Sequence, residues 1–474
     1  MRGDKLGNFL DNLVTRIADY VEKSHNEGGK TVNFMPASSR EKVTDLSLPL
    51  EGYGTQTILD DIDEFLTQCV KTNRPEFMNP LWGGLNIAGF AGEVIAALTN
   101  QSMYTYELSP IATLIEKSVI ERMMEIVGYG EGFGTLTTGG SNGNMLGMLC
   151  ARQYSDPMSS LNGFDGTKYV AFVSEEAHYS VLMSANVIGI GHQNLIKVKC
   201  DSSGRMKPES LVDEINRATA NGRIPFCIIA TSGTTVRGAF DPLREIAQIA
   251  YDNDIWLHVD AAWGGSCLFS RRHRGLMDGI ELADSICWDA HKMMGLPLIC
   301  SVFLTKNKSV LRSVCTHGDS AHYLFHDDTK DVDLGRYSLQ CGRRNDSLKL
   351  WMAWREIGDA GWAEMVEKYY DLSDYLENLV NESDNLSMMS NREWTNICFR
   401  YEVDGHDLNE LNTEIRNRMM REGINLVSRS NIGDDVVIRA VVANPLIDEK
   451  VLRSLISSIE KHGSEIISNI PSEF

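Results

Sequence analysis

A chain of 474 residues can bury a large core and fold as two or three domains in one unit, and its 43% hydrophobic and 23% charged composition is ordinary for a globular protein. A formal charge of -20 opposes any broad contact with nucleic-acid phosphates or anionic lipid, and no stretch approaches the ~18 consecutive apolar residues of a membrane span. Ten cysteines lie singly, with no CxxC pair and no zinc-ligand spacing, so reduced thiols and no metal are expected.

The first seven residues carry charges early and lack the apolar core of a signal peptide, which points to a cytoplasmic protein. Leu6, Phe9, Leu10, Leu13, Ile17, Tyr20 and Val21 recur at helical spacing. They predict an amphipathic first helix that needs a partner surface, from its own chain or from another subunit. Around Asn79-Pro80-Leu81-Trp82-Gly83-Gly84 the interleaved apolar residues indicate an ordered loop. From residue 115 to about 310, apolar β-rich runs at 169–173, 195–198, 226–230, 255–259, 285–288 and 301–304 alternate with amphipathic stretches such as 211–219 and 243–251. That alternation predicts an α/β domain around a mostly parallel sheet. Beyond residue 345 the pattern becomes helix, strand, helix, strand and a last helix at 449–468. The expected organisation is a helical segment, 1–114, a large domain, 115–345, and a small α+β domain, 346–474.

Three segments carry chemistry. Leu-Thr-Thr-Gly-Gly-Ser-Asn-Gly-Asn-Met, residues 136–145, places small residues before a helix. Backbone N–H groups of Gly139, Gly140, Ser141 and Asn142 are candidates for a phosphate cup, although taken alone such a segment is more often a plain turn. It matches neither of the common nucleotide-binding glycine patterns. Next, Asp260 ends the run Ile-Trp-Leu-His-Val-Asp. Ligands of open α/β sheets bind at that end, and a buried carboxylate there needs a partner; a helix cap or a structural ion pair would also serve. Finally, Lys292 follows Trp-Asp-Ala-His and precedes Met-Met-Gly. An apolar setting lowers a lysine pKa by desolvation and favours Schiff-base chemistry, whereas most lysines at strand ends are simply solvated.

The order cup, acid, lysine is that of a pyridoxal-phosphate enzyme, in which the acid keeps the pyridine nitrogen protonated. Six motifs make the resemblance specific: Tyr-Thr-Tyr-Glu-Leu-Ser-Pro at 104–110, Ala-Thr-Ser-Gly-Thr-Thr at 230–235, His-Val-Asp-Ala-Ala-Trp at 258–263, His-Lys-Met-Met-Gly at 291–295, Leu-Gln-Cys-Gly-Arg at 339–343 and Ala-Asn-Pro at 443–445. From about residue 50 onward the chain resembles the group II pyridoxal-phosphate decarboxylases, most closely the glutamate, cysteine sulfinate and aspartate branch.

The resemblance implies a fold-type I enzyme acting as a homodimer with shared active sites. It implies that Lys292 holds the cofactor as a Schiff base, that Asp260 pairs with the ring nitrogen, and that Ala262 and His178 lie on opposite ring faces. Thr235 would lie near the phenolic oxygen. Gly140, Ser141 and Asn142 would bind phosphate, with Asp289 and His291 assisting. Tyr323, in Ser-Ala-His-Tyr-Leu-Phe at 320–325, would protonate the substrate carbon after carbon dioxide leaves. Arg439 would bind a substrate carboxylate, while Pro80 and Trp82 would line the side-chain pocket. Two departures stand out: Asp289-Ala290 replaces the usual Asn-Pro before His-Lys, and Phe-Met-Asn-Pro-Leu-Trp lacks the glutamine of the acidic-substrate branch. The implied reaction is α-decarboxylation of a small acidic amino acid. A non-acidic substrate, an aldehyde-forming decarboxylation–deamination and a noncatalytic homologue are the alternatives.

Overall fold

The computed structural model describes residues 3–24, 29–316, 325 and 332–469. Its strands, in chain order, are β1 (Phe77–Met78), β2 (Phe133–Thr137), β3 (Tyr169–Ser174), β4 (Leu195–Val198), β5 (Ile224–Thr231), β6 (Trp256–Asp260), β7 (Ser285–Asp289), β8 (Ser301–Thr305), β9 (Leu386–Met388), β10 (Asn396–Tyr401), β11 (Leu426–Ile432) and β12 (Asp435–Val441). All six expected strands form, with ends displaced by at most two residues. β2 was not anticipated, because Phe-Gly-Thr-Leu-Thr carries two threonines and a glycine and forms no apolar run.

The chain forms two compact units. One comprises Leu85–Asp371 with Ser390–Asn396 and contains a seven-stranded sheet in the order β2-β8-β7-β6-β5-β3-β4. Strands β3 to β7 run parallel, and β8 lies antiparallel between β7 and β2. The central strands are apolar runs: Cys227, Ile228, Ile229 and Ala230 of β5 are fully buried, as are Ile286 and Cys287 of β7. Such runs characterise parallel strands covered on both faces. All the parallel strands therefore deliver their carboxyl ends to one edge.

The helix Gly140–Ser155 follows β2 and packs against β5, β6, β7 and β8. Its close approach depends on glycines at helical spacing. A Cβ on Gly143 would overlap Cys287 Sγ, and one on Gly147 would overlap the His258 ring. Elsewhere local signals fix the ends: Asn86 caps Ile87–Thr99 by accepting from Gly89 N–H at 2.6 Å, and proline opens Pro110–Val127 and Pro208–Ala220.

The other unit comprises Met1–Gly84, Leu372–Met389 and Ile397–Phe474. Its five-stranded sheet runs β1-β11-β12-β10-β9, with β1 parallel to β11. The first helix spans Gly3–Ser24 and the last Glu449–Asn469. Gly84, at φ 80°, presses the loop after β1 onto Ala443-Asn444-Pro445: a Cβ there would lie 2.5 Å from Pro445 Cδ, so only glycine fits.

Candidate active site

Where β6 ends, Asp260 is buried. Its Oδ1 accepts from Ala262 N–H at 3.1 Å and its Oδ2 from the Asn144 amide at 2.7 Å. Both donors are neutral, and no cationic side chain forms an ion pair with this carboxylate among the described residues. A hydrogen-bond relay holds Asn144. Trp256 Nε1–H donates to Ser285 Oγ at 2.9 Å, leaving that hydroxyl to donate to His258 Nδ1 at 2.9 Å. His258 Nε2–H then donates to Asn144 Oδ1 at 3.0 Å, and the two amide hydrogens of Asn144 serve Asp260 and Ser180 Oγ, the latter at 3.1 Å. Burial pushes the His258 pKa down to about 3, so the relay is neutral throughout.

His178 follows β3. Its Nδ1 accepts from Ser180 N–H at 3.2 Å and faces Ser180 Oγ at 2.8 Å, which leaves Nε2 to carry the proton. Burial lowers its pKa, against the pull of Asp260, so this ring is neutral too.

Asp289 ends β7 and is 2% exposed; its Oδ2 lies 3.3 Å from Lys292 Nζ and 3.6 Å from His291 Nε2. His291 Nδ1 faces the Cys300 backbone, at 2.9 Å from the carbonyl and 3.2 Å from the N–H, and burial lowers its pKa. The Lys292 side chain retains 21% exposure. Burial is the largest single influence on its ammonium and lowers the pKa, but the Asp289 and Asp260 carboxylates outweigh it, so the net direction is upward. The expectation from desolvation alone is thereby corrected: without cofactor this lysine is held as an ammonium.

The glycine turn lies against this cluster. Gly139 sits at φ 113° and offers no side-chain cap to the helix it opens; Asn142 and Gly143 N–H donate to the Gly139 carbonyl at 2.9 and 3.2 Å, which leaves the N–H groups of Gly140 and Ser141 to face an anion. A Cβ on Gly140 would approach Asp289 Oδ2 to 2.7 Å and Ala262 Cβ to 3.2 Å. Ser141 is exposed, and half-buried Asn142 donates to Thr138. The Thr235 carbonyl accepts from the Asn396 amide at 3.0 Å. Sequence reasoning missed Asn144. It stands inside the glycine segment, but only the sheet order reveals its partners.

In the other unit, Arg439 on β12 is buried. Its Nε donates to Ser428 Oγ at 2.8 Å across the β11–β12 pair, and Nη2 donates to the Asn79 carbonyl at 3.0 Å, just before Pro80. Trp82 packs on Phe77 with ring centres 5.5 Å apart. Arg439, Pro80 and Trp82 thus share one neighbourhood. Tyr323 lies outside the described residues.

A parallel sheet whose strand ends gather an unpaired acid, a lysine and an uncapped helix start has the layout of a fold-type I pyridoxal enzyme. Residues 36–402 match the pyridoxal-dependent decarboxylase conserved domain, and the chain belongs to that family. It is similar to acidic amino acid decarboxylase GADL1 of Mus musculus, at 37% identity over 464 residues, covering 94% of this chain and 84% of that protein. Against cysteine sulfinic acid decarboxylase of Rattus norvegicus the identity is 34% over 466 residues, covering 95% and 94%. The crystal structure of mouse CSAD superposes with a TM-score of 0.93 at 33% identity, covering 97% of this chain and 99% of that one. The site fits pyridoxal phosphate on its own chemistry: Asp260 is a buried carboxylate with only neutral donors, Gly140 leaves a cradle that a Cβ would fill, and Lys292 remains reachable.

Proposed function

We propose that this chain removes the α-carboxylate of a small acidic L-amino acid as carbon dioxide and releases the amine. The observation that carries the reaction is the placement of Lys292 and Asp260 at one sheet edge, close enough for Asp260 to act on the lysine's charge. The acidic class rests on the names of the similar proteins and on Arg439, a buried planar cation suited to a carboxylate.

Pyridoxal phosphate, when bound, supplies an electron sink for the pair left as carbon dioxide departs. Lys292 Nζ provides the covalent anchor. Asp260, fixed by Asn144 and Ala262, would hold a proton on the ring nitrogen. Neutral His178 and Ala262 would hold the ring between them, and Thr235 would lie on the side of its phenolic oxygen. Gly140, Ser141 and Asn142 would receive the phosphate, with Asp289 and His291 assisting. Tyr323 returns a proton to Cα. Arg439 would bind a substrate carboxylate, and Pro80 and Trp82 would line the side-chain pocket.

Two further parts of the reading concern assembly and location. A homodimer is supported by apolar side chains left in water, Leu98 at 77% and Ile111 at 64% exposure. A reducing compartment, the cytosol, is supported by ten cysteines that are all free. No helix among the described residues is long and apolar enough to cross a membrane.

The test is amine formation from all common amino acids plus cysteine sulfinate and cysteate, with cofactor supplied. Turnover of an acidic member is expected, falling at least ~1000-fold in Lys292→Ala. Turnover confined to aromatic or basic members would sink the acidic reading.

A further inference from the structure

We infer that Asn396 is a positioning residue for the cofactor: its amide locks the turn that carries Thr235 to the turn that carries Ala262, and so sets the Thr235 hydroxyl against the phenolic oxygen. The inference rests on the reading of Thr235 as that oxygen's neighbour.

Asn396 closes the short return, Ser390–Asn396, to the unit that holds the seven-stranded sheet. It is 1% exposed, so the polar atoms of its amide need partners, and they have them. Its Oδ1 accepts from Trp263 Nε1–H at 2.7 Å, and its Nδ2 donates to the carbonyls of Thr235 and Val236, each at 3.0 Å. An indole N–H can only donate and a peptide carbonyl can only accept, so these partners fix which end of the amide points where. Trp263 is buried and directly follows Ala262. One side chain thus bridges two turns, each carrying a proposed contact to the ring.

The backbone does not make this bridge by itself. Gly233 and Thr234 N–H donate to the Ala239 carbonyl, Gly238 N–H to that of Thr234 and Gly264 N–H to that of Ser232, all at 2.9 Å. Those bonds close the base of the turn and fasten it to Gly264. They do not reach the peptides on either side of Val236, which are the ones that Asn396 holds. On the outer side, Arg237 Nη2 lies 3.1 Å from Glu176 Oε1, two residues before His178; that ion pair ties down a side chain rather than a peptide. The return is itself anchored, because Glu393 accepts from Phe240 N–H at 3.1 Å and pairs with Arg205 at 2.5 Å. It also lies directly on the turn: a Cβ on Gly238, at φ 72°, would stand 3.0 Å from Trp394 Cβ and 3.3 Å from Asn396 Cγ.

A hydroxyl that donates to the phenolic oxygen favours the anionic form of that oxygen. Such a bond weakens steeply as its distance and angle drift. A turn released from Asn396 therefore keeps its hydroxyl and loses the alignment.

The experiment loads the full chain with pyridoxal phosphate and records the two absorbance bands of the bound chromophore. The longer-wavelength band belongs to the form with an anionic phenolic oxygen. Thr235→Ala deletes the donor and should move the balance about tenfold toward the shorter-wavelength band, the effect of one hydrogen bond to a charged acceptor. Asn396→Ala, with the hydroxyl still present, should move it the same way by at least about threefold. The variant carrying both changes should match Thr235→Ala, since the amide acts through the hydroxyl. Asn391→Ala, which costs the same return only an exposed bond to Ser203, should leave the spectrum unchanged. An unchanged spectrum in Asn396→Ala overturns the inference, as do shifts that add in the double variant or an equal shift in Asn391→Ala. Should the alanine variant fail to fold, Asn396→Asp decides by the same spectrum: it is of equal size but turns an oxygen toward the two carbonyls. No shift in Thr235→Ala overturns the reading of Thr235 and this inference together; a shift there with none in the Asn396 variants overturns this inference alone.

Discussion

Asp241 shows how one buried carboxyl shapes the pH response. Burial pushes its pKa up to about 7, although Met206 and Thr231 N–H donate to it at 2.6 and 2.7 Å and favour the charged form. The folded chain therefore holds a proton here that the unfolded chain, with its pKa near 3.8, has released. The resulting stability is complete below the unfolded pKa and is lost as pH rises to about 7, at up to ~1.4 kcal/mol per unit. Asp241→Asn removes that slope. Urea unfolding from about pH 5 to 8 should find the unaltered chain losing ground to the variant up to pH 7 and running parallel above it. A gap independent of pH would refute the shift. Chemistry at this scale was partly legible in the sequence. Asp260, Lys292 and Asp289 stand at ends of readable strands, and the structure brings them to one edge. Asn144 was not legible, because its partners lie 36, 114 and 116 residues away and only the sheet order makes them neighbours.

At the scale of elements, the glycine segment has two jobs, and its sequence spoke for one. Gly139 and Gly140 form the turn, whereas Gly143 and Gly147 let the helix lie directly on β6 and β7. Gly147→Ala drives a methyl group into the His258 ring, which is already bound on both nitrogens. A loss of ~3 kcal/mol is expected from this overpacking, read as a lowered urea midpoint. Gly130→Ala, whose Cβ would meet nothing, should be near neutral; equal stability of the two variants would refute the packing argument. The six strands built from apolar runs between residues 169 and 304 were legible, whereas beyond residue 345 four strands form where two were expected, and β1 was not read as a strand. Nor was β2: it is anchored by its antiparallel ladder to β8, a tertiary pairing that the residues themselves do not announce.

For the whole molecule, the apolar surface sets the expected assembly. Leu98, on the helix Ile87–Thr99, and Ile111, on Pro110–Val127, face water in the single chain, and each would gain ~2 kcal/mol from full burial. Sedimentation should find a dimer, and Leu98→Lys with Ile111→Lys should shift it to monomer; a double variant that stays dimeric would place the interface elsewhere. The grouping of Met1–Gly84 with the carboxy-terminal segments is a feature that reading the chain in order does not reveal, because nothing local marks residue 77 as the partner of residue 426.

That same pairing has a consequence during synthesis. β1 leaves the ribosome early, but its neighbour β11 follows about 350 residues later, a wait of roughly 20–70 s at ordinary elongation rates. Throughout that interval β1 has no neighbouring strand to join, while the seven-stranded sheet, whose last strand ends at Thr305, is finished before β11 is made. β1 is thus made well before the strand that holds it, and its place in the sheet waits on the far end of the chain.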